Sequence, residues 1–452
     1  MAGALKPEGI STRLARIAQQ ARQNPEMVFT SLNHHLDEYL LHAAFREINK
    51  RGAPGVDGMT AREYATDLDG RLRDLLGRAK SGRYQAPPVR RVHIPKGQGP
   101  ETRPIGIPTL EDRILQQAVR MILEAVYEQD FLPCSYGFRP GRSAHDALEA
   151  LWKGIGWRGG WILDVDVRKF FDTLDHVHLR NLLDLRVRDG VLRRLIHKWL
   201  HAGVLEDGSL SYPEAGTPQG GVISPLLANI YLHHVLDEWV RRDVNPRMKG
   251  RVFLIRYADD FVMGFEREDE ARKILDVLPK RFGKYGLTLH PEKTRLVDFR
   301  RPLRQPKRKD PGDPPRTFDF LSFTHFWGLS REGNRVVQRK TSQKRFNRAV
   351  ATITEFCREN RHSKVRDQAA QLRQKLNGHY QYFGITGNYR AVAAFLRAVE
   401  RAWRKWLDRR CQRKTMPWIR FKRLLQAHPL PTPWLPQSVY RERQERLPGS
   451  IA

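Results

Sequence analysis

A four-residue stretch near the middle of the chain, Tyr257-Ala-Asp-Asp260, constrains the fold more than any other. It separates two apolar runs, Val252 to Ile255 and Phe261 to Phe265, that are rich in the β-branched and aromatic residues typical of strands. The pattern predicts a β-hairpin with two adjacent carboxylates at its tip. Two neighbouring negative charges in a tight turn repel each other, and a bound cation would relieve that repulsion. The stretch therefore indicates a Mg²⁺ site.

The same stretch has a simpler interpretation. Aspartate is a common turn residue because its side chain accepts hydrogen bonds from the nearby backbone, and an Asp-Asp turn in isolation is usually only a turn. A catalytic metal site requires in addition a third carboxylate, ligands for phosphate and a basic surface for nucleic acid. These three features decide between the two interpretations.

A candidate for the third carboxylate lies in the segment Trp161-Ile-Leu-Asp-Val-Asp166. The segment is predicted to be a strand, on which period-two alternation places Asp164 and Asp166 on one face. An acidic residue in a buried strand is costly unless it is paired or bound to a metal. Either aspartate would complete the three-carboxylate set that two Mg²⁺ ions need, and spacing alone does not choose between them.

Two Gly/Pro loops are candidates for contact with a nucleotide. Predicted strands at Val89 to Ile94 and Arg103 to Ile107 flank the first loop, which has Lys96 and Arg103 at its edges. An ammonium and a guanidinium on one hairpin can close over a triphosphate, although a solvated basic hairpin fits the local sequence equally well. The second loop contains Gln219 among glycines that permit another backbone or a nucleotide to approach closely.

The charge of the chain predicts a polyanionic partner, and nucleic acid is the simplest one. The 80 Lys and Arg residues against 50 Asp and Glu give a net charge of +30. From Arg300 to the end, 35 Lys and Arg stand against 11 Asp and Glu, and there a predicted amphipathic helix sets basic residues opposite an apolar stripe. Two further arginines lie in a Gly/Pro loop that leads into a helix. The predicted nucleic-acid contacts are Arg139, Arg142, Arg401, Arg404, Lys405 and Arg409.

Several other classes of protein are excluded. The three cysteines, Cys134, Cys357 and Cys411, are far apart, which excludes a zinc ribbon or a disulfide framework and fits a reducing compartment. No apolar run approaches the length of a transmembrane helix, and the N-terminus lacks the apolar core of a signal peptide. We expect a cytoplasmic protein with no membrane partner.

The order of these segments resembles that of the reverse transcriptases encoded by bacterial group II introns, also called maturases. The resemblance covers nearly the whole chain. The motifs that carry it are Arg103-Pro-Ile-Gly-Ile-Pro108, Ser135-Tyr-Gly-Phe-Arg-Pro-Gly-Arg142, Asp166-Val-Arg-Lys-Phe-Phe-Asp172, Gly216-Thr-Pro-Gln-Gly-Gly221, Tyr257-Ala-Asp-Asp260, His290-Pro-Glu-Lys-Thr294, Phe320-Leu-Ser-Phe323 and Leu376-Asn-Gly-His-Tyr-Gln-Tyr-Phe-Gly384.

The resemblance implies a catalytic centre that spacing could not define. It implies that Asp166, Asp259 and Asp260 are the catalytic carboxylates, and that they and the carbonyl of Val167 bind two Mg²⁺ ions, which Mn²⁺ can replace. It leaves Asp164 without an assigned role, and we expect Asp164 to support the metal ligands from behind. Lys293 corresponds to a lysine that protonates the pyrophosphate.

The resemblance also implies a nucleotide pocket. Phe171 matches the aromatic steric gate that rejects a 2′-hydroxyl and so selects deoxynucleotides. Lys96 and Arg103 match the pair that binds the triphosphate. Gln219 lies in the motif that packs on the incoming nucleotide.

The expected fold is α+β, a right-hand polymerase with fingers and palm built from an antiparallel sheet plus helices, and an all-helical basic thumb or maturase domain. We expect an N-terminal extension and fingers in residues 1–105, fingers and palm in 106–325, and the helical domain in 326–452. The expected function is RNA-directed DNA polymerase and maturase, with RNA template and primer, dNTPs, group II intron RNA and target DNA as partners.

The sequence departs from the family pattern in two places. Ser322 stands where the family usually has glycine, which bears on how closely the primer strand approaches that turn. No Cys pairs and no His-Asn-His pattern follow the helical domain, so we expect no DNA endonuclease domain.

Two alternatives remain open at this stage. One is an RNA-binding splicing factor without polymerase activity, against which the acidic residues and phosphate ligands weigh. The other is a domesticated reverse transcriptase in phage defence or DNA repair, which the protein sequence does not separate from an intron-encoded enzyme.

Overall fold

The structure, a computed structural model, describes residues 7–95, 102–156, 158–206, 208–212, 216, 220–302, 316–330, 332–410 and 415–437. The described chain divides into two compact units. The first contains residues up to Gly154 and from Gly160 to Leu296, and the second contains Ile155 to Gly159 and the residues from Val297 onward. The division of the chain into residues 1–105, 106–325 and 326–452 stays a prediction.

Helices make up most of the first unit. The helix α5 lies at its centre, because apolar residues recur every three or four positions along it and are buried against α1, α2 and α10. The helices up to residue 296 are α1 (Pro7–Gln23), α2 (Glu38–Glu47), α3 (Ala61–Tyr64), α4 (Leu68–Ser81), α5 (Leu110–Tyr127), α6 (Ala144–Ile155), α7 (Phe170–Thr173), α8 (His176–Leu183), α9 (Gly190–Leu200), α10 (Ser224–Leu232) and α11 (Glu268–Gly283). Two π-helical turns, His233–Asp237 and Val240–Val244, follow α10.

Two four-stranded sheets accompany these helices. The strands are β1 (Val89–Pro95), β2 (Thr102–Ile107), β3 (Trp161–Val165), β4 (Val204–Glu206), β5 (Ser209–Ser211), β6 (Val252–Tyr257), β7 (Asp260–Phe265) and β8 (Arg295–Asp298). One sheet has the order β2-β1-β4-β5 and the other β6-β7-β3-β8. In the second sheet β7 is antiparallel to both β6 and β3. The strand pairs predicted around Lys96 and around the Asp-Asp turn are therefore both present.

The second unit combines a small sheet with long helices. Its strands β9 (Phe318–Phe320), β10 (Phe323–Leu329) and β11 (Arg335–Thr341) form an antiparallel sheet in the order β11-β10-β9. Helices α12 (Gln343–Glu359), α13 (Val365–Phe383), α14 (Tyr389–Asp408) and α15 (Trp418–Ala427) follow. Trp403 is buried among them, where its indole N–H donates to Gln368 at 2.8 Å and its ring meets Phe421 edge-on.

The α+β class expected from the sequence is confirmed, with one shift in where the strands end. The all-helical domain was expected to start at residue 326. Instead, the stretch from Phe323 to Thr341 forms β10 and β11, and helical structure in the second unit begins at Gln343. The two-residue turn before β10 has positive φ at both Leu321 (49°) and Ser322 (69°). Such a turn favours glycine, so the serine at this position adopts a strained backbone conformation. No helix in the described part of the chain is long and apolar enough to cross a bilayer.

A buried carboxyl on α5 carries an unusual charge state. Asp112 lies in the first unit, where it accepts hydrogen bonds from the Tyr84 hydroxyl and, at 3.1 Å, from the Trp199 indole. Burial raises the pKa of Asp112 from 3.8 to about 8, although the Trp199 hydrogen bond opposes that shift. The folded chain therefore keeps Asp112 neutral at a pH where the unfolded chain ionises it.

The sign of the pH dependence follows from this difference. Below pH 3.8 the carboxyl is protonated in both states, and between 3.8 and about 8 the folded chain binds one proton more. The stability that Asp112 contributes is therefore full at low pH and is lost as the pH rises through that window.

We predict that Asp112→Asn removes this loss, because the amide is neutral at every pH and its oxygen can accept both hydrogen bonds. The free energy of unfolding of the variant relative to wild type should rise between pH 4 and pH 8 by up to about 1.4 kcal/mol per pH unit. Denaturant unfolding at a series of pH values measures it. Asp276→Asn, on an exposed position of α11, is the control and should run parallel to wild type. If the free energy of unfolding depends on pH in the same way for Asp112→Asn and wild type, Asp112 is ionised in the folded protein.

Candidate active site

The Asp-Asp stretch forms the predicted hairpin. Tyr257 and Asp260 are the last cross-strand pair of β6 and β7, so Ala258 and Asp259 make a two-residue turn. Ala258 has φ of +58°. Positive φ at the first turn position matches the right-handed twist of a hairpin, but it favours glycine, and alanine is strained there. The two carboxylates thus sit on a tight turn whose backbone is held away from its preferred conformation.

The register of β3 against β7 brings the third carboxylate to this turn. Val165 pairs with Phe261, and the same register continued by one residue places Asp166 opposite Asp260. Burial raises the pKa of Asp259, and the negative charge of Asp166 adds to the rise. Asp166 therefore lies close enough to the hairpin for its charge to act on Asp259.

A second segment fixes the backbone around Asp166. The amide of His290 donates to the carbonyl of Asp166, and the amide of Arg168 donates to the carbonyl of Thr288, each at 2.8 Å. The turn that follows His290 carries Lys293, whose ammonium lies 3.1 Å from a carboxylate oxygen of Asp166. The predicted lysine and the predicted aspartate are thus direct partners.

Asp164 has a different partner. Its carboxylate lies 3.1 Å from Nε of Arg295 on β8, and its side chain is more buried than that of Asp166. The two aspartates share a face of the strand, as alternation predicted, but Asp166 alone comes at the end of β3 beside the hairpin. The ion pair with Arg295 explains how a carboxylate is tolerated inside this sheet.

A glycine loop connects two parts of the predicted nucleotide pocket. Gly216 has φ of +91°, and a Cβ there would lie 2.8 Å from the carbonyl oxygens of both Phe171 and Asp172. At the other end of the loop, Gly220 has φ of +118°, and a Cβ would lie 2.4 Å from the carbonyl oxygen of Gly106 on β2. Glycine is required at both ends because the loop passes against two backbones at closer than side-chain distance.

The structure describes two of the side chains predicted to line the nucleotide pocket, Phe171 and Arg103. Phe171 is half-buried on α7, and Arg103 is exposed on β2 opposite Ile94. The positive charge of Arg103 lowers the pKa of Asp259, against the larger effect of burial, so the guanidinium lies within electrostatic range of the Asp-Asp turn. Lys96 and Gln219 fall outside the described residues.

The donor set at this site suits a hard divalent cation. Three carboxylates and backbone carbonyls are oxygen ligands of the type that Mg²⁺ prefers, and the repulsion between Asp166 and Asp259 is what a cation would relieve. Within the described ranges, no three His, Cys, Asp or Glu side chains already converge as a ligand group. Lys293 is the positive partner of Asp166 in this arrangement.

One predicted nucleic-acid contact does not fit its position. Arg139 is buried, and its guanidinium donates to both carboxylate oxygens of Glu128 and to the carbonyls of Leu132 and Ser135. These bonds hold the 132–139 loop in place, so the guanidinium is not presented to a phosphate. Arg142 in the same loop is half-buried and lies over the ring of Tyr136.

The predicted basic helix belongs to the second unit. On α14, Arg401 and Lys405 are exposed, as is Arg409 directly after the helix, whereas Trp403 and Leu407 are buried on the opposite face. The amphipathic pattern of the helix is therefore confirmed. Arg404 is half-buried, donates to the carbonyl of Met416 at 2.8 Å and lies over the ring of Trp418.

The sequence patterns assign no role to Arg256, which the structure places directly behind the Asp-Asp turn. Its side chain is fully buried and paired with Asp237. A sequence signal was available, since an arginine between Ile255 and Tyr257 interrupts an apolar strand, and a buried charge is costly unless it is paired.

Comparison with known proteins agrees with this geometry. The family described as reverse transcriptase (RNA-dependent DNA polymerase) matches residues 94–325. The group II intron-encoded protein LtrA of Lactococcus lactis subsp. cremoris is 40% identical over 285 residues, which cover 59% of this chain and 46% of LtrA. This chain therefore spans less than half of the length of that relative.

Two further relatives match in a similar way. The protein YkfC of Escherichia coli (strain K12) is 36% identical over 298 residues, covering 57% of this chain and 76% of YkfC. The protein named nuclear intron maturase 4, mitochondrial, of Arabidopsis thaliana is 30% identical over 145 residues, which cover 32% of this chain and 18% of the maturase.

The resemblance to group II intron-encoded proteins is thus confirmed. The matched family spans just over half of the 452 residues and includes both the Asp166 strand and the Asp-Asp hairpin. The chain belongs to the reverse transcriptase family.

Proposed function

We propose that this protein is an RNA-directed DNA polymerase that extends a primer 3′-hydroxyl with dNTPs on an RNA template. The observation that carries the proposal is the register of β3 against β7, which brings Asp166 to the turn of Asp259 and Asp260 in a chain of the reverse transcriptase family. Carboxylates at such a site are the groups that hold the catalytic metal ions of nucleotidyl transfer.

The carboxylates of Asp166, Asp259 and Asp260, with the carbonyl of Val167, would hold two Mg²⁺ ions or Mn²⁺ in their place. When bound, the ions lower the pKa of the attacking hydroxyl and neutralise charge on the leaving pyrophosphate. Reverse transcriptases use Mg²⁺ in this way. The protein positions the ligands on a strand end and a tight turn, so that little rearrangement is needed on binding.

Lys293 is the candidate proton donor. Its ammonium lies 3.1 Å from a carboxylate oxygen of Asp166. A phosphate oxygen would compete with the carboxylate for the ammonium, and a proton from Nζ would neutralise the pyrophosphate as it departs. Arg103 and Lys96 would bind the triphosphate, and Gln219 and Phe171 would contact the nucleoside.

The second unit would bind nucleic acid. Arg401 and Lys405 on α14, Arg404 on the same helix, Arg409 directly after it and Arg142 in the first unit would contact RNA template, primer and target DNA through phosphates. We propose that group II intron RNA is bound in the same way to promote splicing. We also propose fingers and an N-terminal extension in residues 1–105, fingers and palm in 106–325, and a thumb or maturase domain in 326–452.

We predict that Asp259→Ala reduces primer extension by about 1,000-fold or more, because the site loses a metal ligand. Affinity for RNA should stay within about threefold of wild type, since the removed group is an anion and not a phosphate contact. Single-turnover extension of a labelled primer and filter binding measure the two quantities.

Asp276→Asn is the control for Asp259→Ala, since it removes one negative charge from the exposed face of α11. It should leave both quantities unchanged. Primer extension that persists in Asp259→Ala would refute the metal site. If the wild-type protein binds RNA but never extends a primer, the protein is a splicing factor without polymerase activity.

We predict that Phe171→Ala raises the ratio of ribonucleotide to deoxynucleotide incorporation by about 10- to 100-fold, because the ring no longer blocks a 2′-hydroxyl. The ratio of kcat/KM for rNTP and dNTP on one template measures it. Phe171→Tyr keeps the ring and should retain the wild-type ratio. An unchanged ratio in Phe171→Ala would remove Phe171 from the role of steric gate.

A further inference from the structure

A buried cation stands directly behind the catalytic turn. Arg256 occupies the penultimate position of β6, next to Tyr257, and its side chain has no exposed surface. Transfer of a guanidinium into a protein interior is strongly unfavourable unless every N–H group finds a partner. The partners of Arg256 therefore indicate what the residue is for.

The guanidinium has three kinds of acceptor. Nε and Nη2 donate to the two carboxylate oxygens of Asp237 at 2.8 and 2.6 Å, in the bidentate geometry that fixes an arginine most firmly. Nη1 donates to the side-chain oxygen of Asn229 at 2.9 Å and to the carbonyl of Ala258 at 3.1 Å. The last bond reaches the first residue of the catalytic turn.

The backbone of Arg256 is fixed as well. Its amide donates to the carbonyl of Cys134 at 2.8 Å, and its carbonyl accepts from the amide of Tyr136 at 2.9 Å. Asn229 donates in turn to the carbonyl of Gly137 at 2.8 Å. One connected set of hydrogen bonds thus joins β6, α10 and the 134–137 loop.

The loop lies directly against the catalytic turn. A Cβ on Gly137 would lie 2.3 Å from the amide nitrogen of Ala258, so the two backbones are in contact without a side chain between them. The turn is therefore held from two sides, by the guanidinium at its carbonyl and by the loop at its amide.

The turn needs such support. Ala258 has φ of +58°, a conformation that is unfavourable for a residue with a side chain. Without supporting contacts, the backbone of the two-residue turn would relax to a different conformation, and the carboxylate of Asp259 would move with it. Strained conformations of this kind persist where the surrounding structure determines them.

We infer that Arg256 is a positioning residue for the catalytic turn, which it fixes through the carbonyl of Ala258 while Asp237 and Asn229 fix the guanidinium. Asp237 lies at the end of a π-helical turn, an irregularity that often marks functional sites and that directs its carboxylate to Arg256. The inference rests on the proposed polymerase function, because the positioned groups are its metal ligands.

The chain offers a matched control. Arg186 is also buried and pairs bidentately with Asp130, at 2.8 and 3.0 Å, and it also donates to backbone carbonyls, those of Ala21, Asn24 and Met27. Within the described part of the chain, none of these bonds of the Arg186 guanidinium reaches the hairpin. Lysine at either position keeps the charge and loses the forked geometry. The same substitution at the two sites therefore separates loss of stability from loss of positioning.

The test compares Arg256→Lys with Arg186→Lys by melting temperature and by single-nucleotide extension. Both variants should melt at lower temperature than wild type. At a temperature well below both transitions, Arg256→Lys should lower kcat by about 10-fold or more with the KM for primer–template within about twofold, whereas Arg186→Lys should keep kcat within about twofold. Equal effects of the two substitutions on kcat, or wild-type kcat in Arg256→Lys, would overturn the inference.

Two further measurements keep the test independent of polymerase activity and of folding. Hydrogen exchange at the amides of 258–260 should be faster in Arg256→Lys than in Arg186→Lys, and direct Mn²⁺ titration followed by electron paramagnetic resonance should show weaker binding only in Arg256→Lys. Failure of the wild-type protein to extend a primer would refute the proposed function. Hydrogen exchange at 258–260 and Mn²⁺ affinity would still decide whether Arg256 positions the turn.

Asn229→Ala is the alternative variant if Arg256→Lys does not fold. It removes one of the bonds that orient the guanidinium, and it also removes the hydrogen bond to the carbonyl of Gly137. We expect it to lower kcat by about threefold to 10-fold and to speed exchange at 258–260. Wild-type kcat and exchange in that variant would overturn the inference.

Discussion

Strand register controls the chemistry of this molecule. Side chains alternate between the two faces of a strand, so a shift of β3 against β7 by one residue would turn every side chain of β3 to the opposite face. The apolar residues Leu163 and Val165 are fully buried, and this burial opposes such a shift. The register that satisfies the core is the one that places Asp166 beside Asp259 and Asp260. The hydrophobic core and the candidate active site are therefore consequences of the same pairing.

Charge in the first unit is arranged by depth. At the surface of the site, Asp166 meets Lys293, and behind it Asp164 meets Arg295. Deeper still, Arg256 and Asp237 form a pair with no exposed side-chain surface. A buried pair of this kind adds little to net stability, but removal of one partner is strongly destabilising and its forked geometry admits few arrangements. Its contribution here is the fixed geometry of the turn that it supports.

Local patterns predicted the elements that depend on neighbouring residues. The hairpin around Ala258, the strand before Asp166 and the helix α5 each follow from periodicity or turn chemistry within a few positions. The predicted β1–β2 hairpin and the apolar face of α14 follow in the same way. The family resemblance then ordered these elements into a polymerase, which the α+β fold and the family match support.

Long-range partners account for what could not be predicted. Spacing alone could not separate Asp164 from Asp166, because the partner that distinguishes Asp164, Arg295, lies about 130 positions further along the chain. Arg139 resembles a phosphate ligand in its loop, but Glu128 and two carbonyls hold it in the interior. Arg256 receives its role from Asp237 and Asn229, which precede it by 19 and 27 positions. None of these contacts leaves a periodic signal in the sequence.

A strand end and a hairpin turn, almost a hundred residues apart in sequence, are proposed to bind the same metal ions. Cleavage by Fe²⁺ measures this directly, because Fe²⁺ bound in place of Mg²⁺ reduces added hydrogen peroxide to hydroxyl radicals that cut the nearby backbone, and ascorbate regenerates the Fe²⁺. We expect ascorbate-driven cleavage at two places together, around Asp166 and around Asp259, and excess Mg²⁺ should suppress both cuts in parallel. Cleavage at only one of the two segments, or at neither, would contradict the account.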